Sequence, residues 1–265
     1  MRNSCTTTAS GPSKVNVSRL PNSDTLVISG KIALKNAGST TPVAVLDPTL
    51  FAATVLKERL AAAGVQVKGQ ILFAQEHADT ARLQLLASTS HSLGGAVRTA
   101  NKRSQNFYAE MILKTLGRKV VEPASFAAGV RSAATVLDDV GIKEGGYVLS
   151  DGSGLSKRNA FSARQLCHLL RSMARSPQAD AFIDSLPVSG IEGSLIQRMN
   201  APAYAGKILA KTGHVLGVSA LSGYIRSGEK FLAFSILVND DGLNLAAANA
   251  LQDRICELLV DFRQP

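Results

Sequence analysis

The last third of the chain carries the pattern that most narrows the fold. Lys207-Ile-Leu-Ala-Lys211, Gly217–Ile225 and Phe231–Val238 are β-patterned segments at hairpin spacing. Leu243–Phe262 follows as a long helical stretch with Leu251, Ile255, Leu258 and Leu259 on one side. Three antiparallel strands backed by a terminal helix form an α+β layer, because a sheet with an apolar face must bury it against another element. With 265 residues and 45% hydrophobic content, the chain can bury one large core or two modest ones.

Upstream, residues 1–20 are rich in Ser, Thr and Asn and lack periodicity, so they are expected to be a frayed start. Thr25–Ser29 and Lys31–Leu34, joined by Gly30, read as two short strands, and Pro42–Leu46 as a third. Asp47 before Pro48 marks a helix start, with Phe51, Val55, Leu56 and Leu60 as an apolar stripe and Gly64 as the stop. Val65–Lys68, Gln70–Phe73 and Leu83–Ala87 are expected strands. His91–Leu116 predicts two helices flanking a Lys102–Asn106 turn, with Phe107, Met111 and Leu113 inward. Helices are also expected over Pro123–Val140 and Ser162–Arg175, and Ser150-Asp-Gly-Ser-Gly-Leu-Ser156 is too glycine-rich to be anything but a loop.

The net charge of +9 invites a nucleic-acid reading, but the distribution argues against one. Basic residues are scattered along predicted helix faces (Arg98, Lys102 and Arg103; Lys114, Arg118 and Lys119), there is no Trp, and aromatics are 5%. A solvated basic surface fits better. Cys5, Cys167 and Cys256 are far apart and share no Cys-x-x-Cys spacing, so buried free thiols are expected, with neither a disulfide framework nor a metal site. No stretch reaches the roughly 18 consecutive apolar residues of a membrane span, and the first residues contain no apolar signal-peptide core. Read literally, that start places the chain in the cytoplasm.

Two short motifs carry chemistry. Lys211-Thr212-Gly213 sets a cation at a strand end, a hydroxyl that can hold a carboxylate, and a glycine past which a peptide backbone can pass closely. Ser104 and Asn106, two apart on a tight turn, aim polar side chains at one point: Asn106 can orient a substrate amide, and Ser104 can relay a proton to a leaving amine. Taken alone, Ser104-Gln-Asn106 also reads as a helix N-cap, and Lys-Thr-Gly as a structural strand end.

Four stretches in order, Asn101–Leu113, Leu149–Ser156, Leu186–Leu195 and Lys207–Gly213 with Gly217–Tyr224, together resemble the class C low-molecular-mass penicillin-binding proteins, the D-alanyl-D-alanine carboxypeptidases/endopeptidases. The similarity runs from about Asn16 to the C-terminus. It implies a β-lactamase/transpeptidase-like fold in which an antiparallel sheet is flanked by helices, incomplete at its N-terminus. Residues 1–40 would be the tail of an inserted accessory β domain and 41–265 the C-terminal part of the penicillin-binding domain. It further implies that Ser104, Asn106 and Lys211 line the cleft and that Lys211 and Thr212 bind the substrate carboxylate. The His214 N–H would be an oxyanion donor, and Asp151 and Ser153 of the glycine-rich loop would border the site. His214 stands where that family usually has Ser or Thr.

The resemblance implies peptidoglycan peptides and β-lactams as partners, no cofactor, and a periplasmic setting. It also calls for a Ser-x-x-Lys nucleophile motif, and the single match here, Ser227-Gly-Glu-Lys230, reads as a hairpin turn. The chain as written is therefore expected not to turn over. The alternative kept open is a non-catalytic binder of cell-wall peptide.

Overall fold

The computed structural model describes residues 1–73, 84–119, 124–228 and 230–262. The chain divides into two compact units, Met1–Leu86 and Ala87–Pro265. The sequence-based division at residue 40 falls inside the first of these.

The first unit opens with a three-stranded sheet of β1 (Arg2–Thr8), β2 (Lys14–Arg19) and β3 (Leu26–Ala33), in the order β1-β3-β2. β1 runs parallel to β3, and β2 runs antiparallel to it. The expectation of a frayed start is thus overturned: polar Ser and Thr residues form strands because β3 supplies backbone partners to them, which no local apolar pattern announces. Leu26 to Ala33 is one strand rather than two. Gly30, at φ +118°, continues it where an added Cβ would lie 2.1 Å from the Lys14 carbonyl oxygen. The expected strands at Pro42–Leu46, Val65–Lys68 and Gln70–Phe73 are irregular segments, and so are 84–87; Leu83 lies outside the described residues.

Helix α1 (Pro48–Ala62) starts as predicted, with the Asp47 carboxylate accepting from the Leu50 N–H at 2.9 Å. Its apolar stripe is only partly covered, since Phe51 and Leu56 are exposed.

The second unit holds α2 (Leu93–Lys102), α3 (Asn106–Arg118), α4 (Phe126–Asp139), α5 (Ala163–Met173), α6 (Ala179–Ser185), a 3-10 turn (Gly193–Leu195), strands β4 (Ile208–Val215), β5 (Val218–Ser227) and β6 (Lys230–Asn239), and α7 (Leu245–Asp261). The three strands form an antiparallel meander in sequence order, as their spacing predicted. Ser92, Ser125 and Asn244 each accept from a backbone N–H of the helix they start, and Ser162 with Gln165 completes a capping box. Pro123, read as the start of a helix, lies outside the described residues, and the helix begins after Ser125.

Strand alternation sorts the sheet into two faces. Ile208, Ala210, Leu221, Ile225 and Phe234 pack with Cys256 of α7, whereas Leu209 and Tyr224 pack with Leu170 of α5, Ile183 of α6 and Leu186. Two positional expectations fail here. Phe107 is 67% exposed, and α7 buries Ala248, Gln252 and Cys256 while Leu251 and Leu258 face out. Small residues let α7 approach the sheet closely, and Gln252 is buried because its amide donates to Ser219 Oγ at 3.0 Å and its oxygen accepts from Arg198 at 3.0 Å. Of the three free cysteines only Cys256 is buried, and that burial, with Asp253 nearby, pushes its thiol up to about 12. No helix among the described residues is long and apolar enough to cross a membrane.

Candidate active site

Ser104 is placed by the end of α2. The Gln105 N–H donates to the Ala100 carbonyl at 3.1 Å, which closes the helix and forces Ser104 into the left-handed region at φ +51°. Glycine is the usual residue there, because a side chain in that conformation costs about 1 kcal/mol. The strain is held in a turn that presents the hydroxyl outward. Ser104 Oγ accepts from Lys211 Nζ at 2.8 Å, across 107 positions of sequence. The capping reading of this triplet fails, since Gln105 is the N-cap residue of α3 and makes no side-chain cap bond.

We expect Ser104→Gly to be about 1 kcal/mol more stable than Ser104→Ala, because only the alanine keeps the strain. Chemical denaturation of the two variants measures the gap; equal stabilities would remove the argument for strain.

Lys211 extends from β4, also donates to the Thr212 carbonyl, and is held by burial at a pKa of about 8, down from 10.5. Thr212 Oγ1 donates to Ser194 Oγ at 2.8 Å. Backbone groups of β4 add to the site. The Ala210 N–H donates to Pro187 O at 3.0 Å, and Ile208 O accepts from the Ser189 N–H at 2.9 Å, so even-numbered residues point to the outer edge. Period two then aims the N–H groups of Thr212 and His214 at that edge, where no strand pairs among the described residues.

These residues surround a cavity of about 420 Å³ whose rim includes Ser104, Asn106, Ser153, Lys211, Thr212 and Gly213, and whose floor is Leu166, Leu169, Leu170, Phe182 and Leu186. An adjoining cavity of about 410 Å³ shares that rim and reaches His214. An apolar floor with a few convergent polar groups is the usual form of a small-ligand site.

Asp151 is not among the lining residues. Its carboxylate accepts from the N–H groups of Gly154 (2.7 Å) and Ser156 (2.6 Å) and from the Asn159 amide (2.8 Å), so it shapes the loop that carries Ser153. Glu110, which the sequence reading passed over, anchors the same loop by accepting from the N–H groups of Gly152 (3.3 Å) and Ser153 (3.0 Å). Ser194 was missed as well. The remaining motif, Ser227 with Lys230, pairs across the end of the β5–β6 hairpin. Ser227 lies five residues along β5 from Ser222, which faces Lys211, or about 17 Å at the usual strand rise. Among the described residues, no three His, Cys, Asp or Glu side chains gather as metal ligands.

A family model described as D-Ala-D-Ala carboxypeptidase 3 (S13) matches residues 1–261. The chain belongs to this family. It is 34% identical over 252 residues to a D-alanyl-D-alanine carboxypeptidase of Actinomadura sp. (strain R39), covering 93% of this chain and 46% of that protein. It is 28% identical over 202 residues to the D-alanyl-D-alanine carboxypeptidase DacB of Haemophilus influenzae, covering 74% and 41%.

This S13-family chain thus spans about half the length of the curated relatives it matches. Among solved structures, it superimposes on penicillin-binding protein 4 of H. influenzae in complex with a β-lactam, with a TM-score of 0.75 at 24% identity, covering 94% of this chain and 58% of that one. A penicillin G-acylated predatory endopeptidase of Bdellovibrio bacteriovorus matches at a TM-score of 0.53 and 20% identity, covering 82% and 58%. These likenesses establish the α+β transpeptidase/β-lactamase-like fold.

Proposed function

We propose that this chain supplies the substrate-binding half of the active site of a serine D-Ala-D-Ala carboxypeptidase/endopeptidase acting on peptidoglycan peptides. The observation that carries the reading is the Lys211–Ser104 hydrogen bond of 2.8 Å at the rim of the cavity. In this reading Lys211 and Thr212 hold the C-terminal carboxylate, and Gly213 lets the peptide backbone pass. Asn106 orients the substrate amide. The His214 N–H, on the free edge of β4, donates to the developing oxyanion. Ser104 relays a proton to the amine that leaves.

The reaction is acylation of a serine hydroxyl by the penultimate D-Ala carbonyl, with loss of the terminal D-Ala, followed by water attack on the ester. Ser227 is too far along the sheet to be that serine. The nucleophile belongs to a Ser-x-x-Lys segment outside these 265 residues. The setting that suits such a substrate is the periplasm, where the basic surface faces an anionic cell-wall polymer. Residues 1–40 are read as the tail of an inserted accessory domain, and 41–265 as the returning part of the penicillin-binding domain.

Mass spectrometry after incubation with benzylpenicillin tests this. The 265-residue chain is expected to form no stable adduct, and the same chain joined to a Ser-x-x-Lys segment from an intact relative is expected to gain one penicilloyl group per molecule. A stoichiometric adduct on the chain alone would show that another residue serves as nucleophile. No adduct on the joined protein would remove the reading.

A further inference from the structure

We infer that Ser194 is a positioning residue for carboxylate recognition, holding the Thr212 hydroxyl from a turn that is itself clamped to the Ser104 turn. This rests on the reading that Lys211 and Thr212 bind a carboxylate. The first observation is a buried charge. The Lys102 side chain is 8% exposed, and its ammonium pairs with the Glu192 carboxylate, whose other oxygen lies 3.5 Å from Arg98 Nη2. An ammonium taken out of water persists only where a partner fixes it, so Glu192 is bound tightly to the last residue of α2.

The second observation is a steric fit. Gly193, at φ +71°, lies so near that same residue that an added Cβ would stand 2.9 Å from the Lys102 carbonyl oxygen and 3.0 Å from Pro187 Cβ. The third is the Thr212–Ser194 hydrogen bond of 2.8 Å. Together these contacts close a ring. Lys102 lies two residues before Ser104, and Glu192 two before Ser194; Ser104 meets Lys211, and Ser194 meets the next residue, Thr212. No member can move without disturbing both ends of the motif that faces the cavity.

The ring also explains why a hydroxyl stands at 194. Threonine is β-branched and stiff about χ1, so a single directional partner selects its rotamer. Thr212 now donates to Ser194, and the Ser194 hydrogen has no acceptor among the described residues. When a carboxylate arrives, both hydroxyls can rotate: Ser194 donates to Thr212 Oγ1, and Thr212 donates to the carboxylate. No proton changes owner. A carboxamide terminus gains less, because its NH2 group faces the Lys211 ammonium with no acceptor.

The test uses the whole 265-residue chain, with N-acetyl-D-alanyl-D-alanine and its C-terminal carboxamide as probes titrated by NMR at pH 7. The wild-type chain is expected to prefer the acid. Ser194→Ala should weaken the acid about tenfold, because the Thr212 hydroxyl is no longer held for its own hydrogen bond to the charged carboxylate, and leave the amide unchanged, while Ser194→Thr keeps the preference. Thr212 methyl couplings, read in the free chain, should report a change of rotamer in Ser194→Ala alone. Acid affinity and Thr212 couplings both unchanged in Ser194→Ala would overturn the inference. If the wild-type chain binds acid and amide equally, the carboxylate reading fails instead, and the couplings alone then decide whether Ser194 positions Thr212.

Discussion

Lys211→Met is expected to abolish selective binding of a peptide carboxylate while leaving the fold intact and, at pH 7, no less stable. Burial lowers the ammonium pKa from 10.5 to about 8. The charged form is thus disfavoured in the folded chain by about 3 kcal/mol relative to the unfolded one. Below pH 8 both states hold the proton and the full cost is present. Between about pH 8 and 10.5 the unfolded chain holds a proton that the folded chain has released, so stability rises with pH across that window.

Acid binding runs the other way, falling as pH passes about 8, because the neutral amine no longer attracts a carboxylate. The variant should lack both trends and bind the acid at least tenfold more weakly, since a charge-assisted contact has gone. Melting curves and peptide titrations from pH 6 to about 11 on both proteins measure this. A wild-type stability that runs parallel to the variant's across pH 8–10.5 would refute the burial argument. An acid affinity equal in the two proteins would refute the assignment of Lys211.

The parts of the fold that were legible in the sequence are those whose signals are local. β4, β5 and β6 show hairpin spacing, and Asp47 and Ser162 stand as caps before their helices. Ser104 and Lys211 stood out as candidates because each lies in a short, chemically unusual motif, and the structure joins them by a hydrogen bond. What was missed depends on partners far away in sequence. Glu110 serves a loop about 40 positions on, and Lys102 a carboxylate 90 positions on; each reads locally as one more surface charge on a helix. Asp151 was recognised as part of a special loop but given the wrong task, since its carboxylate closes the loop's own turns. The buried face of α7 was misread for a related reason. A helix that lies close to a sheet uses Ala248, Gln252 and Cys256, whereas a search for leucines picks out Leu251 and Leu258.

The largest structural effect is expected at Gly223, where alanine should destabilise the second unit by about 3 kcal/mol or more, near the upper end of overpacking costs. Propensity alone predicts the opposite sign, because glycine inside a strand is ordinarily worse than alanine by about 0.5–1 kcal/mol. Sterics reverse it. A Cβ at Gly223 would stand 2.1 Å from the Leu209 carbonyl oxygen and 2.5 Å from Ala210 Cα, both of them backbone of the paired strand β4. No rotamer change relieves a contact with backbone, and Leu209 and Ala210 are buried between the two packed faces, so β4 itself must move.

That movement reaches the site directly. Lys211 follows Ala210, and its partner Ser104 sits on a separate helix turn, so a shift of β4 is expected to disturb the 2.8 Å contact and weaken carboxylate binding along with stability. Gly213 in the same strand pair is the control: its added Cβ would lie 3.4 Å from Ala220 Cβ, an ordinary contact, and Gly213→Ala should cost less than about 1 kcal/mol. Thermal melting separates the two. For a unit of this size about 3 kcal/mol corresponds to roughly 6–12 °C, so a Gly223→Ala protein melting within about 2 °C of the wild type would refute the steric argument.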